Sequence, residues 1–263
     1  MAILLTERRG TACWLTINRP EQQNAVNWEL FPLIEAAIAE ALADASVQAI
    51  VLTGAGTRHF CAGGDLAADL ARSECGLAPQ WLTHPLQRLF ETVERCPLPI
   101  VACVNGHCVG PGMSLLAMCD LAVAADTAKF ALGEAKMGLV PGLALGYLQR
   151  LVPKRRLLEW MLCAEPFDAG EALAAGLVNH VAPAAELDAK LDWLLARLAG
   201  KSPDAQRRAK RAFKSMEDMA LGEAFAHGAS AAALSLLTAD FREAMRAAAE
   251  KRAPAWPPRP EEK

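Results

Sequence analysis

Short apolar runs without polar alternation recur along this chain, and two of them run straight into glycine. Ala49-Ile50-Val51-Leu52-Thr53 meets Gly54-Ala55-Gly56, and Ile100 to Val104 meets Asn105-Gly106. A strand with no polar face is buried on both sides, as in a parallel sheet covered by helices. A third run, Leu121 to Ala125, follows a short helix pattern over Pro111 to Met118. Strand, turn, helix and strand at this spacing require crossover connections, so the sequence predicts a layered α/β fold.

Around this centre the patterns are simpler. Ala12 to Asn18 reads as a strand closed by Asn18-Arg19-Pro20. A helix is expected from about Asn27 to Leu42, with Leu30, Leu33, Ile34, Ile38 and Leu42 on one face. Beyond Pro153 the chain turns to Ala/Leu/Arg-rich helices, broken near Pro183 and at Lys201-Ser202-Pro203. The last helices, about Ser202 to Ala253, carry Arg207, Arg208, Lys210, Arg211 and Lys214. That density reads as a solvated helix face, with a phosphate-facing edge or a subunit contact as the alternatives. Pro254 to Lys263 is a loose, Pro-rich tail. The division expected is a core over residues 1–195 and a C-terminal helical region over 196–263.

Composition narrows the function classes. With 53% hydrophobic and 22% charged residues, 263 residues can fill a sizeable core. A net charge of −3 argues against nucleic-acid and anionic-membrane partners, while leaving room for a phosphorylated small ligand. The N-terminus lacks the pattern of a secretion signal, and no apolar run is long enough to span a bilayer. The richest segment, Cys108 to Ala125, is interrupted by Asp120 and by Gly110-Pro111-Gly112. The eight cysteines form no Cys-x-x-Cys pair and read as buried small hydrophobes in a reducing, cytoplasmic compartment. Cys108 beside His107 lacks a third ligand at helical spacing, so no metal is expected.

Three segments carry the chemistry. Gly54 to Leu66 runs from a buried strand through small residues to Asp65, a candidate helix N-cap; small residues let a ligand approach the main chain. Val104 to Leu115 takes a second strand through a Gly-rich turn into a helix N-terminus, which favours negative charge. Phe130 to Gly142 places one carboxylate, Glu134, in apolar, Gly-flanked surroundings that raise its pKa towards proton-transfer use. Taken alone, Glu134 also reads as an exposed loop residue paired with Lys136.

In order and spacing these segments resemble the enoyl-CoA hydratase/isomerase, or crotonase-like, superfamily. Asn18-Arg19-Pro20-Glu21 with Asn24-Ala25 is similar to the family's opening, and Gly170-Glu171-Ala172 with Gly176-Leu177-Val178-Asn179 to its later helix and turn. Glu243-Ala244-Met245 with Glu250 to Pro254 resembles its closing helix, so the likeness covers nearly the whole chain. The resemblance implies a spiral of ββα units, a C-terminal helical trimerisation region and a homotrimer or dimer of trimers. It implies an acyl-CoA thioester as ligand, coenzyme A being part of the substrate, with no separate cofactor. The thioester carbonyl would lie between two backbone N–H groups that stabilise a developing enolate. Gly64 stands where the first donor is expected. Ala62, Gly63, Gly64, Asp65 and Leu66 would follow the coenzyme A path, with Ala25 opposite.

The chain departs from the family pattern at four places. Pro111, which has no N–H, stands at the second donor position, leaving Gly112 N–H or a water to substitute. Ser114 stands where two-glutamate hydratases carry one Glu, and Glu134 keeps the other, an arrangement similar to the hydroxycinnamoyl-CoA hydratase-lyases. Ser114 could hold water or simply bond the helix backbone. Gln22 and Gln23 replace basic residues that help hold the coenzyme A phosphates; Arg58 and Lys129 are candidate substitutes or solvated surface. Tyr147 is the only tyrosine, which weakens a phenol-binding role. Residues Leu70 to Phe90, with Trp81, His84 and Pro85, are the expected wall of the acyl pocket. The function expected is a 2-enoyl-CoA hydratase using Glu134 as acid and base; the alternatives are a Δ3–Δ2 isomerase and a non-catalytic acyl-CoA binder.

Overall fold

The structure, a computed structural model, describes residues 2–65 and 84–257. The chain opens with β1 (Leu4–Arg9), β2 (Ala12–Ile17), α1 (Leu30–Ala43), β3 (Ala49–Gly54) and β4 (His59–Cys61). Next come α2 (Pro85–Arg95), β5 (Ile100–Val104), β6 (His107–Val109), α3 (Pro111–Ala117), β7 (Leu121–Ala125) and β8 (Lys129–Ala131). Then follow α4 (Gly142–Leu151), α5 (Lys154–Cys163), β9 (Phe167–Asp168), α6 (Ala169–Ala174), β10 (His180–Ala182) and α7 (Leu187–Ala199). The chain closes with α8 (Pro203–Met216), α9 (Leu221–Ser235) and α10 (Ala239–Ala249).

The larger sheet has the order β1-β2-β3-β5-β7-β10, parallel except for the β1–β2 hairpin. The predicted buried runs are its inner strands: β3 and β5 are buried at every position, and β7 at all but Leu121. A smaller sheet has the order β4-β6-β8-β9, with β4, β6 and β8 parallel and β9 antiparallel. One step recurs three times. β3 turns into β4, β5 into β6 and β7 into β8, so each inner strand of the large sheet hands the chain to the small one.

The turns between the sheets run from buried strand ends out to the surface, and two asparagines bond the backbone of the first of them. Asn105 Nδ2 donates to the carbonyls of Gly54 and Gly56, both at 2.7 Å, and its Oδ1 accepts from Gly54 N–H at 3.2 Å. Asn24, 1% exposed, donates through Nδ2 to Ala55 O (2.9 Å) and His59 O (2.7 Å).

Two sequence expectations shift. The core face of α1 is Leu30, Phe31, Ile34, Ala37, Ile38 and Ala41, while Leu33 is exposed. The buried stripe is centred near Ile34, which at about 100° per residue lies about 60° from Phe31 and about 100° from Leu33 around the helix axis, so Phe31 and not Leu33 packs inward. The basic face of α8 is not solvated throughout. Lys210, 10% exposed, reaches Asp120 Oδ2 at 2.6 Å and Leu98 O at 2.8 Å, and Lys214 reaches Glu94 Oε1 at 2.8 Å. Glu94 also accepts from the hydroxyl of Tyr147. Arg208 and Arg211 remain exposed. No residue of α8 or α9 is buried, and Phe213, Leu221, Phe225 and Leu237 expose apolar side chains.

Of the described cysteines, Cys13, Cys61, Cys96, Cys103 and Cys108 are buried as expected. Cys119 is half-buried and Cys163 exposed, which corrects the reading at those two, and Cys75 lies outside the described residues. No helix among the described residues is long and apolar enough to cross a membrane.

Asp120 links α8 to the large sheet, because its Oδ2 also accepts Ile100 N–H at 2.7 Å. Asp120→Ala leaves Ile100 N–H unpaired and Lys210 with only the Leu98 carbonyl, and is expected to cost about 3 kcal/mol, lowering Tm by about 6–10 °C. Asp120→Asn, which keeps one acceptor, should lose less than half as much in the same thermal melt.

Candidate active site

Because β4, β6 and β8 are parallel neighbours, their C-terminal ends release three segments side by side. The register pairs Cys61 with Cys108 and Val109 with Ala131. Ala62–Asp65, Gly110–Pro111 and Leu132–Glu134 therefore leave the small sheet at one edge. Gly110 has φ 52° and ψ −121°, a conformation in which a side chain is strained. A Cβ there would stand 3.5 Å from Glu134 Oε1 and 3.8 Å from Gly63 Cα. A Cβ on Gly63 would stand 3.8 Å from Pro111 Cδ. Gly63, Gly110, Pro111 and Glu134 thus meet at one point.

Two backbone N–H groups of these segments have no partner among the described residues. Val26 pairs with Gly64 in an isolated parallel bridge: Val26 N–H donates to Gly63 O and Asp65 N–H to Val26 O, both at 2.8 Å. The intervening Gly64 N–H is then turned to the opposite edge, the β6 side, where it has no partner among the described residues. Pro111 is the first residue of α3 and offers no N–H. Gly112 follows in the first helical turn, where N–H groups lack intrahelical acceptors; its N–H likewise has no partner among the described residues. Gly112 cannot be another residue, since a Cβ would lie 2.5 Å from Cys61 O and 3.2 Å from Cys61 Sγ. Burial pushes the Cys61 thiol up to about 11, so this sulfur packs against the turn and does not act as a nucleophile.

Glu134 opens a single turn of 3₁₀ helix, Glu134–Met137. Its Oε2 is buried without a hydrogen-bond partner, and burial raises the carboxyl pKa above the usual range. Lys136 does not pair with it: Lys136 Nζ reaches Glu165 instead, at 3.1 Å. Ser114, 2% exposed, lies two residues beyond Gly112 on α3. It faces the interior of the fold from the first turns of that helix. No cluster of three or more metal-ligating side chains exists among the described residues.

Residues expected along the ligand path are gathered at this edge. Ala62 N–H donates to Gln23 O at 3.1 Å, and Ala25 immediately precedes the Val26 bridge. Asp65 is engaged by Arg19 Nη2 at 2.7 Å; nothing in the periodicity signals this contact, 46 residues apart. The helix that Asp65 was expected to cap falls outside the described residues, as do Leu66 and Trp81. His84 is described: its Nδ1 accepts from Leu86 N–H at 3.1 Å, and burial lowers its pKa to about 4. It packs edge-on against Trp28 and Phe31. Arg58 lines an open cleft of about 450 Å³ with Gln23, Asn24, Thr57 and His59. Gln22 does not line that cleft.

Comparison with known proteins bears on this arrangement. The sequence profile of the family Enoyl-CoA hydratase/isomerase matches residues 7–259. The 2,3-dehydroadipyl-CoA hydratase of Escherichia coli is 33% identical over 97% of this chain and 98% of its own length. The crotonyl-CoA hydratase of Syntrophomonas wolfei is 30% identical over 95% of each. A solved enoyl-CoA hydratase from Mycobacterium smegmatis superposes with a TM-score of 0.91, at 29% identity, covering 97% of this chain and 99% of that one.

The unpaired Glu134 oxygen carries a cost in stability. A carboxyl whose pKa is raised on folding is destabilising once ionised, so stability falls as pH rises through its folded pKa. Glu134→Gln is therefore expected to raise Tm at pH 7 by about 2–4 °C, the equivalent of about 1 kcal/mol. The difference should vanish near pH 4, and a lower Tm for the variant at pH 7 would contradict it.

Proposed function

The chain belongs to the enoyl-CoA hydratase/isomerase family, and on that premise we propose that it adds water reversibly across the α,β double bond of a 2-enoyl-CoA. The observation that carries this reading is the buried, unpartnered Glu134 carboxylate oxygen beside the turn that carries the free donors. Burial raises the Glu134 pKa, so its carboxylate is a stronger base than a solvated one and can both take and return a proton. As base, Glu134 removes a proton from water while the hydroxide oxygen bonds to the β-carbon. The displaced π electrons move through the α-carbon to the thioester oxygen, giving an enolate. Gly64 N–H and Gly112 N–H donate to that oxygen. Collapse of the enolate then draws the same proton from Glu134 to the α-carbon, which restores the carboxylate. Ser114 holds the water or a hydroxyl of the substrate.

The assembly proposed for the chain is a homotrimer or a dimer of trimers, and the apolar side chains of Phe213, Leu221, Phe225 and Leu237 support an interface there.

A second reading follows from Ser114. With a serine in place of a second carboxylate, one glutamate shuttling a proton between two carbons would suffice for Δ3–Δ2 isomerisation. Mass spectrometry of short, branched, aromatic and carboxylated 2-enoyl-CoAs separates the readings. A gain of one water, reduced at least about 10²-fold by Glu134→Gln, supports the hydratase; bond migration without a mass change supports the isomerase. Binding without either leaves a non-catalytic acyl-CoA binder.

If Gly112 supplies the second donor, Pro111→Gly should leave kcat within about threefold of the parent, whereas a missing donor restored by the change would raise it about 10²-fold.

A further inference from the structure

We propose that Arg19 is a positioning residue that fixes the direction of the Gly64 N–H, and with it the polarisation of a bound thioester carbonyl; the inference rests on the acyl-CoA reading above. Among the described residues, backbone bonds hold the segment carrying Gly64 at Ala62 N–H, which donates to Gln23 O at 3.1 Å, and at a bridge to Val26. Beyond Cys61 it leaves the small sheet, and its bridge to Val26 consists of the two 2.8 Å bonds at Gly63 O and Asp65 N–H. A lone bridge between single residues is weak, and glycine adds no side chain to anchor it.

Arg19 crosses that bridge on both sides. Its Nη1 donates to Ala25 O at 2.5 Å, on the residue before Val26, and its Nη2 to Asp65 Oδ2 at 2.7 Å, on the residue after Gly64. The arginine is itself held in place. Its N–H donates to Asn24 Oδ1 at 3.1 Å, its carbonyl accepts Asn24 N–H at 2.8 Å, and its side chain is only 11% exposed. One planar guanidinium therefore ties together the two chain segments whose pairing turns Gly64 N–H away from Val26. A lysine, which presents a point charge instead of a fork, cannot span both acceptors in this way. Arg19 touches no reacting atom. It acts through Gly64, and a donor aimed at developing charge loses most of its value when displaced by about 1 Å.

The test uses the full chain and cinnamoyl-CoA, an aryl-conjugated thioester whose absorption moves to the red as its carbonyl accepts hydrogen bonds. Dissociation constants and bound spectra are compared for the parent, Arg19→Lys and Arg19→Gln, with thermal melts to verify folding. The parent should bind with a red-shifted band. Both variants should keep Kd within about threefold yet lose at least about half of the shift, as expected for a misaimed donor in place of a lost site. Lysine should not rescue it. If Arg19→Gln fails to fold, Arg19→Lys, which keeps the charge beside Asp65, carries the measurement. An undiminished shift in a folded variant, or full rescue by lysine, overturns the assignment. A parent that binds no acyl-CoA at all overturns the functional reading and this inference together, whereas a shifted parent with equally shifted variants overturns only the role of Arg19.

Discussion

The candidate site depends on three short parallel strands that end at one edge, the first of them bulged between His59 and Cys61. β4, β6 and β8 have only three residues each, yet their ends decide where Gly63, Gly110 and Glu134 emerge. A slip of one residue in such a ladder would reverse every side chain and move each exit by about 3.3 Å. Strands this short cannot fix their own pairing. Each follows an inner strand of the larger sheet, so the register of the small sheet is inherited from β3, β5 and β7, whose burial on both faces leaves little freedom. Asn24 and Asn105 complete the transfer by bonding the turn backbone from side chains.

Within that frame the site holds groups that do not help the fold. Glu134 keeps an oxygen buried without a partner, Gly110 takes a conformation strained for other residues, and the N–H groups of Gly64 and Gly112 have no acceptor among the described residues. Each is unfavourable in isolation. Their concentration at one sheet edge, against a large apolar core elsewhere, is the distribution expected when local stability gives way to a binding or chemical task.

Much of this was legible in the sequence. Unbroken apolar runs such as Ile50–Leu52 and Ile100–Val104 can only be buried strands, and the Gly-rich exits marked where backbone would be exposed to a ligand. Glu134 stood out as a carboxylate among apolar neighbours. The contacts made by long side chains over large separations were not legible. Arg19 to Asp65 and Lys210 to Asp120 join residues 46 and 90 positions apart, and no period or local propensity encodes such a meeting. The same blindness turned the basic stretch of α8 into a solvated face, since charge density alone does not say which way a helix is turned. Leu33 failed for a smaller reason: it lies at the rim of the apolar stripe, and apolarity alone does not say where the stripe is centred.

The docking of α8 has a consequence for how the molecule comes apart. A helix held by apolar packing shares the cooperativity of the core, but α8 buries no residue and is attached to the core through Lys210 and Lys214 on the carboxylates of Asp120 and Glu94. Whatever weakens those ion pairs, as high ionic strength does, loosens α8 while leaving the strands of both sheets fully packed. Loss of structure should then begin from the C-terminal end as a separate, earlier event, so that a single midpoint would not describe the whole chain.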